Sequence, residues 1–596
     1  MKLLNYLSFV TALFFLVSNV AKAQDTITVT PGFGTLEAAI AENGGDVVYE
    51  LQAGEWYGSQ SVIEVNETTL KGAGKSLVII GEETDGMPAI IQVGNAADGS
   101  VFPQIFNVFS DMTLKNLFLA AQDFDGVMGA GMMTVNAPVS VTIDNCVIDP
   151  VGVNYMIGGV VAANGSSFYF TNNLVLRNGH VLGPNDGGYW FSNVKYDTLW
   201  VENNTFVSSG QDFIGGGFHT SPQNQFIWVN HNTFLWHDVW IKKTYNDKDF
   251  YFTNNLMHDI SIFAQLYAWG QFFPDYTPDG NRMLSLTAID TAYTVDGEGV
   301  ITLETLPSDR RMFWQYNLQY NSDQLKQLPK WAADNGKAPL YLIPMLWNDD
   351  TPQDYASFPV VSPADSSREA KILADKTNWP YMKFNNNWYD KNPGYEDQVI
   401  DQMNDSMFAN VINWYKNNIF SEPTDLNQAD APSYMWDVDK WAGTPTAEYP
   451  SVWPRFNGKY TNPELLTASI EGLPLGDLNW FPEAKARWES EKAQIQEHIL
   501  ALNESKYVIT TGVEKISLAK NISIYPNPAN EILQITSEKS LKNISIFNVA
   551  GQKVMDVDMN NMVQRNIDIS GLNKGLYLVK VRDNEGAVYS TKVVKQ

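Results

Sequence analysis

A single cysteine, Cys146, among 596 residues rules out an internal disulfide, so the chain must hold itself together through its core. Because Cys146 follows Asn145 inside an apolar run, it reads as a buried structural thiol rather than a reactive one. Basic residues are scarce: 40 Lys and Arg stand against 67 Asp and Glu, and the formal net charge is -27 with a pI near 4.6. That balance argues against nucleic acid and anionic membrane as partners. It also opposes association with polyanionic glycans unless a local basic site overrides it. None of the six histidines stands at zinc spacing, and a P-loop, a glycine-rich dinucleotide turn and a nucleophile elbow are all missing. No apolar run reaches membrane-spanning length beyond the first 23 residues. Those residues carry Lys2, an apolar stretch through Leu13 to Val17, and Ala21-Lys22-Ala23 before Gln24. This is the pattern of a cleavable signal peptide over 1–23, so the mature chain is expected to be exported and soluble or surface-tethered.

What the chain has in abundance is a repeat. An alternating apolar run closing on Asn, followed by a second apolar run, returns as MTLKNLFL (Met112 to Leu119), VTIDNCVI (Val141 to Ile148), FYFTNNLVL (Phe168 to Leu176), LWVENNTFV (Leu199 to Val207), FIWVNHNTFL (Phe226 to Leu235) and DFYFTNNLM (Asp249 to Met257). Aligned on the last Asn (Asn116, Asn145, Asn173, Asn204, Asn232, Asn255), the steps are 29, 28, 31, 28 and 23 residues, a solenoid period. The period-two alternation of β-branched and aromatic residues predicts strands. Asn at the corner tolerates left-handed backbone, and its amide can bond to the Asn of neighbouring coils. A third strand per coil is expected just before each next copy, in Gly131 to Asn136, Gly158 to Asn164, Tyr189 to Val194, Gly217 to Ser221 and Val239 to Thr244.

Three strands per coil with an Asn ladder resembles the right-handed parallel β-helix of the pectate lyase and polygalacturonase families. The resemblance covers residues 24–263 and implies an all-β solenoid. Leu36, Ala39 and Ile40 are assigned to a short helix plugging its N-terminal end. From about Ala264 the period is lost, and 264–507 reads as an irregular, Trp-rich extension. Glu396 to Tyr415 there is expected to be an amphipathic helix, with Val399, Met403, Met407, Val411 and Trp414 at helical spacing. Pro482 to about Leu502 is a second, with Trp488, Ile495, Ile499 and Leu502 on one face. The Trp residues of this region, such as Trp314, Trp388 and Trp480, are expected to be buried one by one, while some line a glycan cleft.

After a polar linker over 508–520, residues 521–596 alternate apolar and polar residues around Gly, Asn and Pro turns, as a small antiparallel Ig-like β-sandwich does. Tyr525-Pro-Asn-Pro-Ala529, Asn548-Val-Ala-Gly-Gln-Lys-Val554 and Gly571-Leu-Asn-Lys-Gly-Leu-Tyr577 resemble the C-terminal sorting domain of the type IX (Por) secretion system. That resemblance implies the type IX machinery as a partner and an extracellular or cell-surface destination. Function is therefore sought before residue 510.

In the β-helix enzymes that the chain resembles, the substrate groove lies on one stacked sheet. Aligning the last three third-strand candidates puts Ser192, His219 and Lys242 at one level and Asn193, Thr220 and Lys243 at the next. Strand alternation lets only one of the two rows face outward. A polysaccharide lyase needs a base beside a uronic carboxylate and a positive group or metal to neutralise it. His219, Lys242 or Lys243 fits the base, and a second Lys or a bound Ca²⁺ fits the neutraliser. The outward acidic cluster of the pectate lyase calcium cage is missing. A glycoside hydrolase needs two carboxyls, and Asp186 and Asp212 occupy comparable turns before successive third strands. With Asn185, His219 and Lys242 they loosely resemble polygalacturonase motifs, though the G-H-G context is absent and Trp240 stands where an Arg is expected. His231, His237, His258 and Asp259 read as corner and turn residues. The leading expectation is a lyase acting on a uronic-acid glycan. A polygalacturonase-like hydrolase and a noncatalytic glycan-binding solenoid are the alternatives.

Overall fold

The computed structural model describes residues 25–121, 123, 131–149, 155–159, 161–176, 189–192, 194–209, 214–215, 224–237, 247–260, 293–294, 300–301, 307–335, 376–377, 380–396, 457–503, 522–526, 529–537, 540–548, 553–583 and 588–596. Two compact units divide the chain, one through Val508 and one from Ile509.

The first unit is a parallel β-helix. Among the described residues its strands stack into an eleven-stranded sheet A, a ten-stranded sheet B and a six-stranded sheet C. Each repeat contributes its first apolar run to sheet A and its second to sheet B, as Ser166–Thr171 and Leu174–Val175 do, and the chain reaches sheet C before the next coil. Register is fixed by the inward rows, because a slip of one residue would turn every apolar side chain outward. Val141, Phe168, Leu199, Ile227 and Phe250 lie in register along sheet A, all within the buried core. Helix α1 (Thr35–Asn43) covers the N-terminal end, with Leu36 and Ile40 buried and Ala39 packed against the same core. Cys146 is buried and unpaired as a disulfide, and desolvation pushes its thiol up to about 12.

The Asn corner uses two adjacent positions where the sequence alignment merged them into one. Left-handed backbone falls at Asn116, Asn145, Asn172, Asn203, His231, Asn254, Tyr316 and Asn386. The amide ladder runs one residue later from the third of these coils. Asn173 donates to Asn204 (3.0 Å), Asn204 to Asn232 (2.9 Å), Asn232 to Asn255 (3.1 Å), Asn255 to Asn317 (3.0 Å) and Asn317 to Asn387 (3.1 Å). Asn116 and Asn145 thus hold the turn position, and Leu117 and Cys146 hold the ladder position. The ladder starts with the Cys146 N–H donating to Asn173 Oδ1 at 2.9 Å.

The solenoid also runs past the expected boundary at 263. Arg311–Gln315 and Leu318–Tyr320, then Met382–Lys383 and Trp388–Tyr389, add two further coils to sheets A and B. Their ladder residues Asn317 and Asn387 lie 62 and 70 residues beyond their predecessors, and steps of twice the repeat length or more concealed the period.

One of the expected third strands shifts as well. The strand near Gly158 is Tyr155–Gly159, followed by a 3₁₀ turn over Val161–Ala163, and its buried Ile157 pairs with the buried Phe191. A further short strand, Ile214–Gly215, pairs with Phe191 and Ser192. Gly217 to Ser221 and Val239 to Thr244 lie outside the described residues, as do residues 1–24 and nearly all of the helix expected over Glu396 to Tyr415.

Helix α2 (Asp323–Asp334) follows the first of the added coils. Helix α3 (Pro482–Leu502) opens with Pro at its first turn and buries Trp488, Ile495, Gln496 and Ile499. The second unit is an antiparallel sandwich of a three-stranded and a four-stranded sheet around Leu533, Ile535, Ile544, Ile546, Val579 and Val581.

Asn232→Ala strips the partner from both the backbone N–H and the amide of Asn204. It is expected to cost about 3 kcal/mol, seen as a lower urea midpoint by tryptophan fluorescence. Asn145→Gly keeps the turn conformation, loses one part-buried bond to Asn116 and should cost no more than about 1 kcal/mol. Equal midpoints for the two variants would refute a ladder role.

Candidate functional site

Sheet C is where stacked side chains face out along one line. Its inward rows are Ile63, Phe106, Met133, Ile157 and Phe191, and Val65, Val108 and Val135. Alternation leaves Glu64, Asn107, Thr134 and the buried Gly158 as the outward row. Glu64, Asn107 and Thr134 are half-buried. Thr134 Oγ1 donates to Gln104 Oε1 (2.9 Å), Gln104 Nε2 donates to Asn107 Oδ1, and Asn107 Nδ2 donates to Glu64 Oε1 (2.7 Å). The hydrogen bonds run one way across three coils and end on a carboxylate.

Of the residues singled out by sequence, His219, Lys242, Lys243, Asp186 and Asp212 all lie outside the described residues. Ser192 pairs with Gly215, so the alignment that set His219 level with Ser192 is corrected by four residues at that rung. Among the described residues no group of three or more His, Cys, Asp or Glu is placed to hold a metal ion.

Sheets A and B carry the extension on their outer faces. Trp200, Trp228, Tyr251 and Phe313 form an outward row on sheet A, with the Trp200 and Trp228 rings stacked at 4.8 Å, and α3 covers it with Trp488, Ile495 and Ile499. Beneath the helix the fully buried Glu202 accepts from the indoles of Trp200 (3.1 Å) and Trp228 (3.0 Å), from Asn230 (2.8 Å) and from Gln496 (3.2 Å), with Lys492 at 3.7 Å. Sequence reasoning missed this carboxylate, although Trp-x-Glu before the Asn corner was its trace. The segment before α3 then straps along the corner. Ile470 and Gly476 bond to Asn254, Asp477 to Thr233 and Thr205, Leu478 and Asn479 to Asn203, and Trp480 to Thr205. Trp314 is buried and Trp388 and Trp480 half-buried, so these indoles serve packing.

Residues 523–596 match the family model described as the secretion system C-terminal sorting domain. This segment is a type IX sorting domain. The protein is accordingly exported by type IX secretion to the cell surface or the extracellular space. No curated protein matches the chain. Among solved structures, one titled as a PL6-family alginate lyase, AlyGC, matches at 14% identity and a TM-score of 0.26, over 40% of this chain and 34% of that one. Among the described residues no helix is long and apolar enough to cross a membrane.

Burial shifts the titratable groups His231, His237 and Asp477. Burial holds His231 and His237 down to about 3, and the His231 ring bonds through Nδ1 to the Gly476 carbonyl at 3.1 Å. Burial raises Asp477 to about 7, against the pull of Lys485, whose ammonium bonds to Asn172. His258 lies 3.3 Å from Asp259, both buried, and stacks on Tyr395 at 5.6 Å. His231 and His237 are neutral in the fold above about pH 3 and protonate near 6.5 when unfolded, so their contribution is full above 6.5 and lost as pH falls toward 3. Asp477 works the opposite way, its contribution lost as pH rises from about 4 to 7. At the His231 position the neighbouring coils carry Asn203 and Asn254. His231→Asn should therefore fold, and flatten the acid-side loss of stability by up to about 1.4 kcal/mol per pH unit. Unfolding curves from pH 4 to pH 7 that superimpose on wild type would contradict the assignment.

Proposed function

We propose that this exported solenoid acts on an extracellular polysaccharide laid along sheet C, and that it is a lyase cleaving a uronic-acid glycan. The observation that carries the reading is the hydrogen-bonded polar row of Glu64, Asn107 and Thr134 on sheet C. The described parts of the extension pack on sheets A and B, while sheet C presents a polar row at the coil spacing of about 4.8 Å. A linear polymer can track such a row.

In the lyase reading, a base removes the proton beside the uronic carboxylate. The bond to the leaving glycosidic oxygen breaks, a carbon–carbon double bond forms in the sugar ring, and the leaving oxygen takes up a proton as the new chain end. His219, or Lys242 with a lowered pKa, would be the base. The other of the two, Lys243 or a bound Ca²⁺ would neutralise the carboxylate. A noncatalytic glycan-binding solenoid is favoured by one specific feature, the low charge of the described row: one carboxylate among Asn, Thr and Gly.

The test is incubation of the exported full chain with uronate and neutral polysaccharides, with and without calcium. Absorbance at about 235 nm, where unsaturated uronates absorb, and new reducing ends are followed together. Both signals should rise on a uronate polymer, and His219→Ala or Lys242→Ala should lower the rate by about 10²- to 10⁴-fold. Reducing ends without absorbance would make the protein a hydrolase and move the chemistry to Asp186 and Asp212. Neither signal, with retention on a polysaccharide, would leave the binding reading.

A further inference from the structure

Within the described solenoid only two large apolar side chains are more than a third exposed, Phe33 and Phe109. Phe33 precedes α1, and its ring leaves no room for a Cβ at Gly58. Phe109 is different, because it directly follows Phe106–Val108 on sheet C. Val108 is buried in the core and Phe109 is 43% exposed, which puts the ring on the outward side with Asn107 two residues before it. Its N–H donates to the Val65 carbonyl, and the Asn136 N–H donates to the Val108 carbonyl. Phe109 is therefore set between Asn66 of one coil and Asn136 of the next. An exposed ring flanked by two amides sits beside the row of Thr134, Asn107 and Glu64.

We infer that this face of the first three sheet C coils is a subsite for a neutral sugar unit, with the Phe109 ring as its platform and Glu64 as its hydroxyl acceptor. The inference rests on the reading of sheet C as a glycan-binding face, and is independent of the lyase chemistry. Three features set the ligand class. An aromatic face accepts the apolar C–H face of a pyranose while the ring hydroxyls stay at its edge. The hydrogen bonds through Gln104 and Asn107 all point toward Glu64, so Oε1 is already held and the carboxylate is oriented to accept from a hydroxyl through Oε2. A carboxylate at that place repels the carboxylate of a uronate, so the charged sugar is discriminated against here. The subsite lies four coils, roughly 19 Å, from the rung at Ile214–Gly215. A chain binding both ends of the sheet would then carry neutral units toward the N-terminal coils.

The test is affinity electrophoresis of the full chain through gels holding a neutral polysaccharide, galactomannan or xyloglucan, or a uronate, polygalacturonate or alginate. Wild type should be retarded by at least one neutral polymer. Phe109→Ala should weaken that retardation about tenfold or more, and Phe33→Ala, which removes a more exposed ring elsewhere, should leave it unchanged. Glu64→Gln, which keeps the oxygen and removes the charge, should increase retardation by the uronates. The subsite is overturned if wild type passes freely through every neutral gel, or if Phe109→Ala migrates as wild type does. It is also overturned if Phe33→Ala is as impaired as Phe109→Ala. A lyase signal can fail while this retardation survives, so the two readings fail separately.

Discussion

The amide ladder from Asn173 to Asn387 is the interaction on which the other parts depend. Each rung bonds side chain to side chain between coils and also serves the backbone: Asn204 Oδ1 accepts from the Asn173 N–H, and Asn204 Nδ2 donates to the Phe170 carbonyl. A chain turning between two sheets at nearly every coil must satisfy those turn groups in a buried corner, where an unmet donor costs about 1–3 kcal/mol. A repeated Asn meets the same need at each coil, and aligned amides polarise one another. With one cysteine in the chain, no disulfide can do this work.

The corner also receives the extension. Asn203, Asn254, Thr205 and Thr233, all on or beside the turn, are the groups to which the strap bonds. Through them α3 is laid on the Trp200, Trp228 and Tyr251 row, with Glu202 satisfied beneath it. The repeat thus builds both the scaffold and the seat for its covering, and the covering takes the outer faces of sheets A and B. Sheet C carries the half-buried polar line of Glu64, Asn107 and Thr134, where function is placed.

Much of this was legible in the sequence because burial imposes period. The strands, the cap at Leu36 and Ile40, the α3 face of Trp488, Ile495 and Ile499 and the sandwich all follow from spacing. Two features misled. Asn is suited both to the left-handed turn and to the ladder, so Asn145 and Asn173 looked equivalent although they sit one position apart. The motif alignment set His219 level with Ser192, whereas Ser192 pairs with Gly215. The coils at Asn317 and Asn387 carry the same motif but follow long insertions. Glu202 was hidden because a single carboxylate gives no periodic signal, and its partners Gln496 and Lys492 come from nearly three hundred residues away. The residues chosen for chemistry, His219, Lys242, Lys243, Asp186 and Asp212, lie outside the described residues and in no copy of the Asn-corner repeat.

Export by the sorting domain sets the protein among extracellular polymers, and the central claim is that a glycan meets it on sheet C. Hydrogen–deuterium exchange of the full chain, with and without a polysaccharide that retards it, tests this most directly. The account predicts slowed exchange in peptides spanning 63–66, 104–109, 131–136 and 189–192, with the α3 and strap peptides unchanged. Protection centred on sheet A, sheet B or the strap, with the sheet C peptides exchanging as in the free protein, would contradict it.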